Sequence, residues 1–252
     1  MLGKLDPAAL LCGAALACGS CRRVEQTDEA ASPVNVDADA EAAEPVPVGP
    51  SAPPPSFEGR PIAATMSHHG AEWLTRPERE VEEDPDALHR ALALRPGQVA
   101  CDVGAGNGYH SLRMAAAVGP DGRVVASDLQ PEMLALLRER ADAAGLRNIE
   151  TVSANQTDAG LPAGGCDLVL LVDVYHELAD PSAMLASLRA SLSPEGRLVL
   201  VEFRAEDDSV PIKPEHKMTR DQVLRELEPR GFRLVQDVPG LPWQHVLVFR
   251  RS

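Results

Sequence analysis

Three glycines at alternate positions, Gly104, Gly106 and Gly108, follow the apolar run Val99-Ala-Cys-Asp-Val103 and precede a segment with helical spacing. Bare backbone is needed where a chain lies against a ligand with no side chain between, and the helix beyond presents unpaired N–H groups. Spacing narrows the ligand. A dinucleotide fingerprint reads Gly-x-Gly-x-x-Gly and holds a pyrophosphate. Here the third glycine arrives one residue early, and Asp102 stands two residues before the first. A carboxylate there repels a pyrophosphate and suits a ligand with an ammonium or sulfonium group. A second acid, Asp128, ends the next strand-like run, 20 residues past Gly108. Farther on, Asp173-Val-Tyr175-His176-Glu177 follows another apolar run. His176 is the candidate general base, because a histidine titrates near working pH, and Tyr175 and Glu177 flank it as further candidate catalytic groups.

These residues need a frame. From Arg60 onward, strand-like and helix-like segments alternate at the spacing of a parallel sheet with crossover helices. Helices are expected over 71–83, with Pro77 as an interruption, and over 85–94, where Asp84 caps and Pro85 takes the first helical position. Strands are expected over 98–103, 123–128, 148–154, 167–172, 196–202, 232–238 and 245–250. Helices between them begin at Tyr109, Pro131, Pro181 (capped by Asp180) and Thr219, whose Thr219-Arg-Asp-Gln222 has the form of a capping box. The central strands are nearly pure Val and Leu, as burial on both faces requires. The fold class is α/β, a Rossmann-like doubly wound sheet of seven strands with helices on both faces. In such sheets ligands bind outside the carboxyl ends of the strands, where His176 falls.

Composition bounds the rest. The 252 residues carry 24 Lys+Arg against 38 Asp+Glu, a formal charge of −14, and the sequence pI is near 4.9. Nucleic-acid binding is excluded on that ground, since it needs clustered Lys and Arg. Val24 to Gly59 contains no Lys or Arg, eight acids and seven prolines. Residues 22–59 therefore read as an extended, self-repelling tether. Ahead of it, residues 1–21 form a signal-like leader whose Ala15-Leu-Ala-Cys18 resembles a lipobox, so that the expected contact with a membrane is a lipid on Cys18. The location is then the bacterial envelope, or the cytoplasm if the leader is not functional. Outside the leader only Cys101 and Cys166 remain, both beside apolar runs, and read as buried thiols. The seven histidines show no ligand spacing, and no metal is expected.

Asp102-Val-Gly104-Ala-Gly106-Asn-Gly108, together with Asp128, resembles the opening motifs of class I S-adenosylmethionine-dependent methyltransferases. The likeness runs through residues 60–252, and the wording Ala71-Glu-Trp-Leu-Thr-Arg and Lys213-Pro-Glu-His-Lys-Met resembles an uncharacterised bacterial subgroup. The resemblance implies a last strand lying antiparallel, and S-adenosylmethionine as cofactor. It puts Gly104, Gly106 and Gly108 under the cofactor, Asp102 near its amino group and Asp128 on the ribose hydroxyls. Asn155 or Asp158 would address the adenine, and Asp173 joins the cofactor-binding set. The implied activity is methyl transfer to a small-molecule acceptor by positioning and exclusion of water. Tyr109 and His110 are expected at the rim of the pocket, the loop 210–218 over the acceptor, and Trp73 and Trp243 as packing anchors. Two alternatives stand beside this reading. One is an envelope lipoprotein whose methyltransferase-like domain only binds a ligand, because the donor is made in the cytosol. The other is an NAD(P)-dependent oxidoreductase.

Overall fold

Two opposed apolar faces organise the chain. The computed structural model describes residues 55–252. The leader, Cys18 and the tether up to residue 54 lie outside the described residues. In chain order the elements are β1 (Ser56–Phe57), β2 (Arg60–Pro61), α1 (Arg79–Glu82), α2 (Pro85–Leu92), β3 (Val99–Val103), α3 (Tyr109–Val118), β4 (Arg123–Asp128), α4 (Pro131–Ala143), β5 (Ile149–Ser153), β6 (Cys166–Val172), α5 (Pro181–Ser191), β7 (Leu192–Arg204), β8 (Lys217–Met218), α6 (Arg220–Leu227), β9 (Phe232–Val238) and β10 (Gln244–Arg251). The sheet order is β5-β4-β3-β6-β7-β10-β9, with the short β8 paired to β7. β3 to β7 are parallel, and β10 runs antiparallel to both β7 and β9.

Period-two alternation sends successive residues of each strand to opposite sides. Ala100, Leu168, Leu170, Val199 and Val201 pack with Leu88 and Leu92 of α2, Met114 and Val118 of α3, and Leu137 of α4. Cys101, Val169, Leu171, Leu198 and Leu200 pack on the other side with Leu185 and Leu188 of α5 and Val223 and Leu227 of α6. Each fully buried Leu or Val contributes about 1.5–3 kcal/mol of transfer free energy, so both faces hold the sheet. The expected caps form: Asp84 accepts from Ala87 N–H at 2.9 Å, Asp180 from Ala183 N–H at 3.0 Å and Thr219 from Gln222 N–H at 3.1 Å. The helix expected over 71–83 does not form as one piece. His68–Thr75 winds as a 3-10 helix, and α1 begins only beyond Pro77, whose ring and missing N–H break the ladder.

Two further expectations are corrected. The end of the presumed tether belongs to the domain, because β1 pairs with β2. The Arg230 guanidinium lies over the Phe57 ring at 4.5 Å and bonds Glu58 at 2.8 Å. Cys101 and Cys166 are not thiols but a disulfide with Cα atoms 6.0 Å apart. They stand 65 residues apart in sequence, yet the adjacent parallel strands β3 and β6 turn both side chains into the same face. Among the described residues no helix is long and apolar enough to cross a membrane.

Candidate active site

A cavity of 660 Å³ lies at the carboxyl ends of the parallel strands. The sheet order reverses direction between β3 and β6, and a crevice opens where the crossovers diverge. Val103, Gly104 and Gly106 at the end of β3 and just beyond it, Asp128 to Gln130 at the end of β4 and just beyond it, and Asn155 after β5 form one side of the wall. Asp173, Val174, His176 and Glu177 after β6, Phe203 of β7, and the loop residues Pro211 to Lys213 and His216 form the other. The loop 210–218 thus borders the cavity.

The glycine turn is a backbone cradle. Gly104 and Gly106 sit at φ +69° and +54°, and an added Cβ would come within 2.4 Å of Val174 Cγ2 and 2.7 Å of Leu74 Cδ1 respectively. Asp128 holds the turn: its Oδ2 accepts from Gly106 N–H and its Oδ1 from Gln130 N–H, both at 2.8 Å. Burial raises the Asp128 carboxyl above its usual range against those hydrogen bonds. Gly108 stands behind the wall, where a Cβ would strike Leu137 and Leu112, so it serves the packing of α3 on α4. Asp102 is also turned away. Its buried carboxylate accepts from Ser111 Oγ at 2.5 Å, and burial pushes it up to about 6, partly opposed by that hydrogen bond. The alternation of β3 sends Asp102 under the turn, whereas the expectation placed it beside the ligand.

Asp173 carries the clearest mark of an absent partner. It has φ +55°, its Oδ2 accepts from Gln244 Nε2 at 2.7 Å, and its buried Oδ1 has no hydrogen-bond partner. Burial and the nearby Glu83 push its carboxyl well above the usual range. A strained backbone and an unsatisfied buried oxygen on a cavity wall fit a ligand donor such as an ammonium group. The cradle and this oxygen together suit the cofactor that the sequence implied. The adenine candidates separate. Asn155 lines the cavity, while its Oδ1 closes the loop by accepting from Thr157 N–H at 2.8 Å. Asp158 points out to solvent, where Ser187 Oγ donates to it at 2.6 Å and holds its carboxyl below the usual range. It does not reach the cavity.

His176 and its neighbours divide likewise. Tyr175 to Glu177 form a 3-10 turn, whose three residues per turn aim successive side chains about 120° apart. Tyr175 goes into the core, wholly buried, with its hydroxyl donating to Glu226 at 2.9 Å. It is a structural residue, correcting its place among the catalytic candidates. His176 is 2% exposed, and its Nδ1 donates to Glu202 Oε2 at 2.5 Å while Nε2 lies 3.1 Å from His216 Nδ1. Burial pushes His176 down, but the charge and hydrogen bond of Glu202 outweigh it and raise the imidazole above its ordinary value. Burial pushes Glu177 up to about 7.

Glu202 had no role in the sequence reading. One signal was available: a lone acid in the apolar run Leu198-Val-Leu-Val-Glu-Phe203 must be paired if the strand is buried on both faces. Trp73 is 43% exposed beneath the Arg76 guanidinium and lines the cavity, so it is not a buried anchor. Trp243 packs near Phe203 as expected. Tyr109 and His110 are not at the rim. His110 is buried between Arg79 and His89, and the Tyr109 hydroxyl donates to Glu80.

Residues 94–236, more than half of the chain, match the family described as a methyltransferase domain. An uncharacterised protein of a Streptomyces fradiae transposon is 37% identical over 112 residues, which are 44% of this chain and 32% of that protein. The ubiquinone/menaquinone biosynthesis C-methyltransferase UbiE of Shewanella halifaxensis is 28% identical over 131 residues, 52% of this chain and 49% of that enzyme. The chain thus spans half or less of the length of these curated relatives. Among solved structures, a SAM-dependent methyltransferase from Aquifex aeolicus superposes with TM-score 0.69 at 25% identity, covering 73% of this chain and 98% of that one. None of these similarities supports an oxidoreductase. The family match and the shared fold converge, and the chain belongs to the S-adenosylmethionine-dependent methyltransferases.

Proposed function

We propose that this domain methylates a small molecule with an ionisable group, seated between His176 and the loop carrying Ile212 and His216. One observation carries the reading: a single 660 Å³ cavity is lined both by the bare backbone at Gly104 and Gly106 and by the buried His176 held by Glu202. When bound, S-adenosylmethionine supplies a methyl group already activated by its positive sulfur. The protein's task is then to bind, align and keep water out. Gly104 and Gly106 leave room for the ligand, Asp128 addresses the ribose hydroxyls while holding the turn, and Asp173 Oδ1 takes the amino group. Asn155 borders the adenine. Asp102 and Gly108 act only through the shape of the turn. His176, its Nδ1 fixed by Glu202, presents Nε2 as the electron pair that draws the proton from the acceptor.

Calorimetry with S-adenosylhomocysteine tests the cofactor half. Asp128→Ala and Asp173→Asn are each expected to weaken binding about tenfold or more, the worth of a hydrogen bond to a charged group. Unchanged affinity in both removes this cradle from the binding site.

We also propose an envelope location, where the donor, made in the cytosol, has to be delivered to the domain for methyl transfer to proceed. The Cys101–Cys166 disulfide supports it, since such bonds persist in oxidising compartments, as does the lipobox-like Ala15-Leu-Ala-Cys18. Mass spectrometry of the mature N-terminus decides. A lipidated Cys18 is expected, and an intact Met1 refutes the anchor.

A further inference from the structure

We infer that His176 Nε2, His216 Nδ1 and a carboxylate oxygen of Glu177 form a divalent metal site at the acceptor side of the cavity, oriented from behind by Glu202. Histidine spacing along the chain gave no sign of it. The fold brings together the 3-10 turn after β6 and a second 3-10 turn, Pro214–His216, between β7 and β8. His176 Nε2 and His216 Nδ1 are 3.1 Å apart, and Glu177 Oε1 is 3.9 Å from each. Three ligands each ~2.1 Å from one ion lie roughly 3.0–3.4 Å from one another. The pair of imidazoles already meets that geometry, and a small rotation of the Glu177 carboxylate completes it.

Glu202 makes this more than a chance approach of side chains. Its 1%-exposed carboxylate accepts the hydrogen bond from His176 Nδ1–H, which leaves the Nε2 of the neutral ring with its lone pair directed at His216 and Glu177. A carboxylate behind a ligating histidine is the arrangement that fixes tautomer and ring orientation at metal centres. Its other oxygen accepts from Tyr175 N–H at 2.8 Å, so the orienting group is itself held. Two imidazoles and one carboxylate suit a first-row ion of intermediate softness, zinc above all, and disfavour magnesium or calcium, which prefer all-oxygen sites. Three ligands leave coordination positions open, and all three residues line the cavity. A hydroxyl of the acceptor entering such a position loses its proton to solvent at a lowered pKa and is held as the anion. In the loaded protein the Nε2 electron pair is engaged by the metal, which takes over from His176 the ionisation of the acceptor. That role rests on the methyl-transfer reading; the site does not.

The test uses the chain as isolated, stripped with EDTA, with whichever of Cys12, Cys18 and Cys21 remain as free thiols alkylated so that no thiolate competes. Cobalt(II) titration is expected to give visible d–d bands saturating at one equivalent, displaced by zinc. His216→Ala and Glu177→Gln should weaken cobalt binding well over tenfold, and Glu202→Gln about 10- to 100-fold through the lost orienting bond. Absence of the bands, or bands undiminished in the His216→Ala and Glu177→Gln variants, overturns the site. S-adenosylhomocysteine binding to the stripped protein is read separately. Cofactor binding without a cobalt spectrum refutes the metal alone, and a cobalt spectrum without cofactor binding supports the metal and refutes the methyl-transfer reading.

Discussion

Replacing Gly104 by alanine probes the closest approach in the cradle. The new Cβ would sit 2.4 Å from Val174 Cγ2 and 2.8 Å from Cγ1, on a backbone at φ +69°. The left-handed conformation costs an L-residue about 1–2 kcal/mol. Forcing a methyl into a packed contact adds about 1–3 kcal/mol, so the expected loss is roughly 2–5 kcal/mol from a domain stability of order 5–15 kcal/mol. Gly97 is the control, because its φ is +84° and a Cβ there would meet nothing within 4 Å. Gly97→Ala should therefore show the backbone part alone, about 1–2 kcal/mol. Urea unfolding of both variants at constant m-value gives the difference, and adding Val174→Ala to Gly104→Ala should return most of the contact part. Because Val174 lines the cavity, its displacement should also weaken S-adenosylhomocysteine binding in Gly104→Ala and not in Gly97→Ala. Equal losses of stability in the two glycine variants would refute the crowding of Gly104 by Val174.

Asp102 keeps its proton in the folded protein up to about pH 6, whereas the free side chain loses it near pH 3.8. The fold is therefore penalised progressively as pH rises through that window, fully so above it. Asp102→Asn, able to accept from Ser111, should gain up to ~3 kcal/mol on the parent across the same window. A pH-independent difference in urea unfolding would count against the burial argument. Tyr175→Phe removes a hydroxyl from the buried Glu226 and should lower stability by about 1.5–3 kcal/mol with turnover retained; a collapse of turnover in well-folded protein would return Tyr175 to the catalytic set. Cys101→Ala with Cys166→Ala opens a loop spanning 65 residues and should cost about 4 kcal/mol by loop entropy. The same loss should appear when the parent is unfolded with reductant, and insensitivity to reductant would deny the bond.

Much of this molecule was legible in one dimension because its signals are local. Val-Leu runs bounded by turns, helix caps at Asp84, Asp180 and Thr219, and glycines forced to positive φ act over a few residues, and each formed where the spacing required. The same locality made Gly104, Gly106, Asp128 and His176 visible as cavity residues. It failed where direction mattered. Asp102 and Tyr175 share short segments with cavity residues, but strand alternation and the 3-10 turn send their side chains to Ser111 and Glu226.

What the sequence determined by itself is the order of elements and the kind of ligand the first glycine turn admits. Only the tertiary structure decided the contacts between distant residues. Parallel pairing joined Cys101 to Cys166, Glu202 met His176 across two strands, and His216 closed on His176 from a loop 40 residues farther along. Those partners are chosen by strand order and register, which depend on how two apolar faces are covered at once, and no short stretch of residues carries that information.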